Sequence, residues 1–150
     1  MYAPAFWREQ HRRFRLIGVK CKKCGRNYFP FQHICSCGGT EFEDVEMPRK
    51  GKIFSWSGII VPPATGIEQV ELTGPYLLVI VELENGVKVL SQITDYLPIK
   101  TMQGKEKQIG IGTPVEMVLR RLYVSQTGQV QYGFKFRPIS EEPTQKKEEQ

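Results

Sequence analysis

The sequence predicts a mainly β fold: a short N-terminal helix, a compact cysteine-held ribbon, a small five-stranded barrel and a loose tail. Three observations carry that expectation. All four cysteines fall between positions 21 and 37. From Gly51 to Arg137 apolar residues recur with the period of strands, interrupted by glycine turns. From Pro138 onward, PISEEPTQKKEEQ has almost no apolar content, so it cannot bury enough surface to offset the entropy of ordering. The expected boundaries are 1–18, 19–48, 49–137 and 138–150. At 150 residues, 40% hydrophobic and 25% charged, the chain has the size for one core and an appendage.

The first element rests on Phe6, Trp7, Gln10 and Phe14, which recur at helical spacing across residues 4–18 with arginines elsewhere on the wheel. So short a helix is marginal in water and must lean on something, either its own ribbon or another protein. That makes Phe6, Trp7 and Phe14 candidate docking residues. The same segment holds most of the chain's net charge of +5: Arg8, Arg12, Arg13, Arg15 and Lys20 stand against Glu9 alone, giving +4. This is a local basic patch, suited equally to a solvated helix face or to a phosphate surface.

The second element is CKKCGRNYFPFQHICSCGG, residues 21–39. Cys21 and Cys24 are spaced as a metal knuckle, and Gly25 lets the backbone turn its N–H groups toward the sulfurs. Cys35 and Cys37 form a second pair, followed by Gly38 and Gly39. Two glycine-trailed pairs point to a rubredoxin-like zinc ribbon in which four thiolates hold one structural Zn²⁺. Iron suits the same four-sulfur set. The second knuckle is one residue short of Cys-x-x-Cys, which removes a peptide N–H that would donate to a thiolate. A ligand set including His33, two residues before Cys35, is geometrically open; four cysteines are the first choice and His33 is read as a surface residue.

The barrel strands come in order. GKIFSWSGIIV alternates, with Phe54, Trp56 and Ile60 expected inward, until Pro62-Pro63 stops it. PYLLVIVEL and VKVLSQI flank Glu84-Asn85-Gly86, a hairpin signal. PVEMVLRRLYV places Val115, Met117 and Leu119 on one face, with a slip in parity at Arg120-Arg121 that suggests a bulge. VQYGFKFRP, after a turn at Thr127-Gly128, sets Val130, Tyr132, Phe134 and Phe136 facing one way. About five strands in under 90 residues suit a small closed barrel.

Several function classes drop out. The only histidines are His11 and His33, and no cysteine is left over to act as a nucleophile, so no acyl-transfer triad can be assembled. The glycines of IGIGTPVEM precede a strand, not a helix, and are no phosphate-cradling loop. A four-protein-ligand metal leaves no position for substrate. The expectation is a protein that is not an enzyme. It has no apolar run long enough for a membrane span, and no signal peptide, and so is expected in the cytoplasm.

Phe6-Trp7, CKKCGRNYFP, CSCG, GKIFSWS, YLLVIVELENGVKVLSQI and IGTPVEM, in that order, resemble the zinc-ribbon plus OB-fold proteins catalogued as domain of unknown function thirty-five. The resemblance covers roughly residues 5–137, and departs from the family at Cys35-Ser36-Cys37. It implies a five-stranded OB-fold barrel and a non-catalytic, acyl-CoA-associated scaffold for thiolase-superfamily enzymes. In archaea the implied partners are acetoacetyl-CoA thiolase and 3-hydroxy-3-methylglutaryl-CoA synthase of the mevalonate route, which together pass on an unfavourably formed acetoacetyl-CoA. Acyl-CoA is then a ligand to consider, with Arg49, Lys50 and Lys52 at the ribbon–barrel joint as candidates for its phosphates. The competing class is a single-stranded nucleic-acid binder with Phe54, Trp56, Tyr132 and Phe134 as stacking platforms. Against it, these aromatics alternate as barrel core would, and the positive charge lies away from the barrel.

Overall fold

The structure is a computed structural model that describes residues 8–59, 76–95, 109–124, 128 and 130–139. Phe6, Trp7, Ile60 and the tail beyond Ile139 lie outside the described residues. Helix α1 spans Gln10–Arg15 and ends sooner than its apolar stripe suggested. Leu16 turns left-handed, at φ 56°, and the chain enters strand β1 at Ile17. A left-handed non-glycine residue costs about 1–2 kcal/mol. Full burial of the Leu16 side chain offsets this with about 1.5–3 kcal/mol. The Leu16 carbonyl is also satisfied, accepting the Met47 N–H at 3.0 Å.

The ribbon is a three-stranded antiparallel sheet of β1 (Ile17–Cys21), β2 (Asn27–Tyr28) and β3 (Phe42–Glu46), with β1 in the middle. Gly18 allows that centre to close, since a Cβ there would collide with the Tyr28 carbonyl and the Met47 methyl. Charged pairs run along its surface. Arg12 of α1 makes a two-pronged bond to Asp44 at 2.7 and 2.8 Å, and Arg15 reaches Glu46 at 3.2 Å. Lys20 meets Glu43, its cross-strand partner, at 3.7 Å.

The barrel comprises β4 (Lys50–Ile59), β5 (Tyr76–Leu83), β6 (Lys88–Gln92), β7 (Pro114–Val124) and β8 (Val130–Pro138), in the spatial order β6-β5-β4-β7-β8. Closure comes where Ile93 bridges Phe136 in parallel and the Thr94 N–H donates to the Phe136 carbonyl at 2.8 Å. One long strand paired with two neighbours and a parallel closure is OB topology. The β5–β6 hairpin turns at Asn85-Gly86 as expected, with Gly86 at φ +79°. The core is aliphatic: Ile53, Leu77, Val79, Val81, Leu83, Val89, Ile93 and Val115 around a fully buried Phe136, continuous with Leu16 and Met47 from the ribbon side.

Two expectations about burial fail. Ile53 takes the core position, the register shift between Ile53 and Ser55 skips Phe54, which is 46% exposed, and Trp56, though paired with the buried Val79, stays 41% exposed. Of the β8 aromatics, only Phe136 is buried; Phe134 is half-buried and Tyr132 is 50% exposed. The reason lies in pairing. β7 is joined to β4 only near its start, from Thr113 to Met117, so beyond that the β7–β8 arm leaves the barrel and its inward face loses its cover. The parity slip of β7 falls between Arg121 and Tyr123, a residue or so later than the sequence suggested.

Candidate metal centre

The four cysteines converge. Cys21 ends β1, Cys24 lies in the turn before β2, and Cys35 and Cys37 sit in the loop before β3. Their Sγ atoms all lie within 4.8 Å of one another, with Cys21–Cys37 at 3.7 Å and Cys24–Cys35 at 3.4 Å. Four sulfurs at about 2.3 Å from one zinc would be spaced by about 3.8 Å. The set fits a single tetrahedral ion, which it would hold as a closed, structural site. His33 is no part of it; its exposed ring packs edge-on against Phe31 at 4.7 Å.

Local backbone geometry makes the convergence. Gly25 and Gly38 adopt φ +74° and +75°, a region glycine enters without a Cβ penalty. Their N–H groups donate back to the Cys21 and Cys35 carbonyls at 2.8 Å. Gly39 passes so close that a Cβ would stand 3.0 Å from Cys21 Sγ. The short second knuckle keeps its sulfur donors. The Cys37 N–H, and after it the Tyr28 hydroxyl, hold the Cys35 thiol down to about 6. Tyr28 Oη lies 3.2 Å from that sulfur and 2.8 Å from Ser36 Oγ. The Arg26 N–H lowers Cys24, but bonding to Cys35 and burial, then Cys37 and Cys21, push it up to about 11. Tyr28 escaped the sequence reading; its position four after Cys24 was the available signal, and its pairing opposite Val19 came only with the fold.

The remaining candidates separate. Lys50 and Lys52 line a groove of about 420 Å³ that also holds Glu82 and Glu84, while Arg49 sits 3.9 Å from Glu46. These cations share the joint between ribbon and barrel, each region with carboxylates of its own. The N-terminal basic patch is likewise largely neutralised, through Asp44, Glu46 and Glu43. Phe14 is half-buried and lines a second groove on the outside of the barrel, with Leu78, Leu90 and Tyr132.

Comparison with known proteins bears on the pair of folds. The family model described as the ChsH2 rubredoxin-like zinc ribbon domain matches residues 8–43, and that of the ChsH2 C-terminal OB-fold domain matches residues 44–120. The chain belongs to this zinc-ribbon and OB-fold family. A DUF35 domain-containing scaffold protein of Methanocaldococcus jannaschii is 39% identical to this family member over 136 residues, 89% of this chain and 88% of its own. Benzoylsuccinyl-CoA thiolase subunit BbsA of Geobacter metallireducens is 36% identical over 78 residues, 52% of this chain and 49% of its own. Among solved structures, the Ltp2-ChsH2(DUF35) aldolase superposes with a TM-score of 0.61 at 26% identity, covering 89% of this chain and 92% of that one. The ribbon-plus-barrel architecture and the family implied by the cysteine pairs and GKIFSWS are therefore both borne out. No helix among the described residues is long and apolar enough to cross a membrane.

Proposed function

We propose that this chain is a non-catalytic scaffold subunit that binds a thiolase-fold acyl-CoA enzyme. The observation that carries the reading is likeness across nearly the whole chain to a protein named as a scaffold, together with likeness to a thiolase subunit. The chemistry agrees with it. The chain's four thiols face one another around a closed metal set, and His33 is exposed against a phenylalanine ring. In the finer form of the proposal the enzymes are acetoacetyl-CoA thiolase and 3-hydroxy-3-methylglutaryl-CoA synthase, held so that acetoacetyl-CoA passes between them in the cytoplasm. Acyl-CoA itself would touch Arg49, Lys50 and Lys52 through its phosphates, and Phe6, Trp7 and Phe14 would contact the enzyme. The metal set Cys21, Cys24, Cys35 and Cys37 would hold one zinc and serve only the ribbon's shape.

The test is copurification from the native source with tagged full-length chain. A thiolase-fold acyl-CoA enzyme in stoichiometric amount is expected. Recovery of nucleic acid or a polymerase, with no acyl-CoA enzyme, would overturn the reading. Replacing Arg49, Lys50 and Lys52 together by alanine should weaken binding of CoA; unchanged CoA binding would remove that site.

The second reading, single-stranded nucleic-acid binding, gains one observation: Phe54, Trp56 and Tyr132 are exposed rather than core. The charge argues the other way, because Arg12, Arg15 and Lys20 already hold carboxylates. Binding to single strands is expected to be weak and lost at moderate salt. Tight, salt-resistant binding that depends on Trp56 would favour this second reading.

A further inference from the structure

The knuckle Cys35-Ser36-Cys37 has a single residue between its ligands, and Ser36 is exposed while Cys35 is buried. The Ser36 hydroxyl is nonetheless engaged on two sides. Its oxygen accepts from Arg26 Nη1 at 3.2 Å and lies 2.8 Å from Tyr28 Oη, which in turn lies 3.2 Å from Cys35 Sγ. Arg26 stands immediately before β2, Tyr28 ends that strand, and Ser36 belongs to the loop before β3. The ends of this chain set its direction. A guanidinium only donates, and a metal-bound thiolate only accepts. Each hydroxyl has one proton, so all three bonds form in one sense: Arg26 to Ser36, Ser36 to Tyr28, Tyr28 to Cys35. The Ser36 N–H, 3.5 Å from Tyr28 Oη, is a further donor to the same oxygen and leaves the phenol proton for the sulfur.

We propose that Arg26 is a positioning residue for the metal: through Ser36 and Tyr28 it aims a hydrogen bond at Cys35 and offsets part of the charge of the four-thiolate centre. The proposal rests on the metal reading of the four cysteines and is independent of the scaffold reading. Four thiolates around one divalent ion leave an excess of negative charge. The neighbouring Lys20 and Lys22 already face Glu43 and Glu41, each at 3.7 Å. Arg26 makes no ion pair among the described residues, and its guanidinium is turned to the metal side of the ribbon through Ser36. A cation at the head of a hydrogen-bond chain polarises every bond after it, which strengthens the last one on the sulfur. The short knuckle then has a rationale. The peptide N–H it lacks is replaced by the Tyr28 hydroxyl, and the one residue it keeps between its cysteines is the bridge to Arg26.

The experiment uses the full-length chain loaded with Zn²⁺ or Co²⁺, with affinity read by chelator competition. Arg26→Gln should lower zinc affinity about fivefold, less than the roughly tenfold loss of a direct partner because its bond is open to solvent. Arg26→Lys keeps a charge and a donor and should stay within about twofold of wild type. Ser36→Ala breaks the same chain and should weaken binding as Arg26→Gln does. In a Tyr28→Phe background, Arg26→Gln should add less than about twofold, because the two residues act in series. With Co²⁺, the thiolate-to-cobalt absorption band should shift in Arg26→Gln and return in Arg26→Lys, which loss of packing alone would not produce. Lys22→Gln removes a cation from the first knuckle that Glu41 already holds, and should leave affinity and band unchanged. Every variant should keep the barrel's urea midpoint. Wild-type affinity in Arg26→Gln overturns the proposal. So does an Arg26→Lys chain as weak as Arg26→Gln, a Lys22→Gln chain as weak as either, or an Arg26→Gln loss that is the same with and without the Tyr28 hydroxyl. If wild type takes up neither ion, the metal reading falls, and the role of Arg26 with it.

Discussion

The ribbon and the barrel are neighbours in one chain, yet they are held by different forces. Residues 17–46 bury few side chains: Val19, Cys21 and Cys35 stand out among strands whose surfaces are joined by ion pairs. Exposed pairs of that kind contribute only about 0–1 kcal/mol each. The four sulfurs must therefore supply most of the ribbon's fixed shape. The barrel has a continuous aliphatic core around Phe136 and needs no such staple. The difference teaches that loss of metal should erase one region's order and spare most of the other's.

The largest effect expected is from Cys35→Ser. Structural zinc binding supplies about 10–16 kcal/mol of apparent free energy in small metal domains, and that energy is folding energy. Metal content should fall from one per chain to near background by elemental analysis, while the barrel keeps a cooperative urea transition. If the barrel transition vanished as well, the contrast between the two regions would be broken. Phe136→Ala attacks the other side. It removes a fully buried ring at the barrel closure and should cost about 3–5 kcal/mol in urea unfolding while metal content stays unchanged.

Tyr28→Phe sharpens the comparison within the ribbon. It deletes only the hydroxyl that supports Cys35, so chelator competition should show metal affinity reduced roughly tenfold, with the barrel's urea midpoint unmoved. An unchanged affinity would mean the Cys37 N–H alone suffices. The smallest effect concerns acid. A hydrogen bond and ion pair from Arg120, at 2.6 Å, hold the Asp95 carboxyl below the usual carboxylate range. A depressed pKa stabilises the fold above the unfolded value and loses that contribution as pH falls through the folded one. Arg120→Ala should therefore lower stability slightly at neutral pH and flatten its decline on the acid side. A decline as steep as in wild type would place the acid sensitivity elsewhere.

Legibility in the sequence followed the same divide. The cysteine pairs and their glycines announced the metal set, because ligand identity and knuckle turns are local in sequence. The Asn85-Gly86 hairpin was equally readable, since a three-residue loop closed by a left-handed glycine fixes its own register. What escaped depended on partners far along the chain. Phe54 and Trp56 were placed inward together by alternation, but the register shift after Ile53 skips Phe54 and so breaks the shared parity of the two. Tyr132 shared the parity of Phe136, yet nothing in its own strand reveals that β7 leaves β4 after Met117. The charge patch looked available until β3 supplied Asp44 and Glu46 opposite α1. The grooves beside α1 and at the joint likewise arise from three or more elements each.

Hydrogen exchange on the metal-loaded chain, recorded alone and with a chelator, tests the separation of a metal-held ribbon from a self-sufficient barrel most directly. The chelator should strip protection from residues 17–46 and leave Leu77–Val81 protected. A chelator effect spread evenly over ribbon and barrel would contradict it.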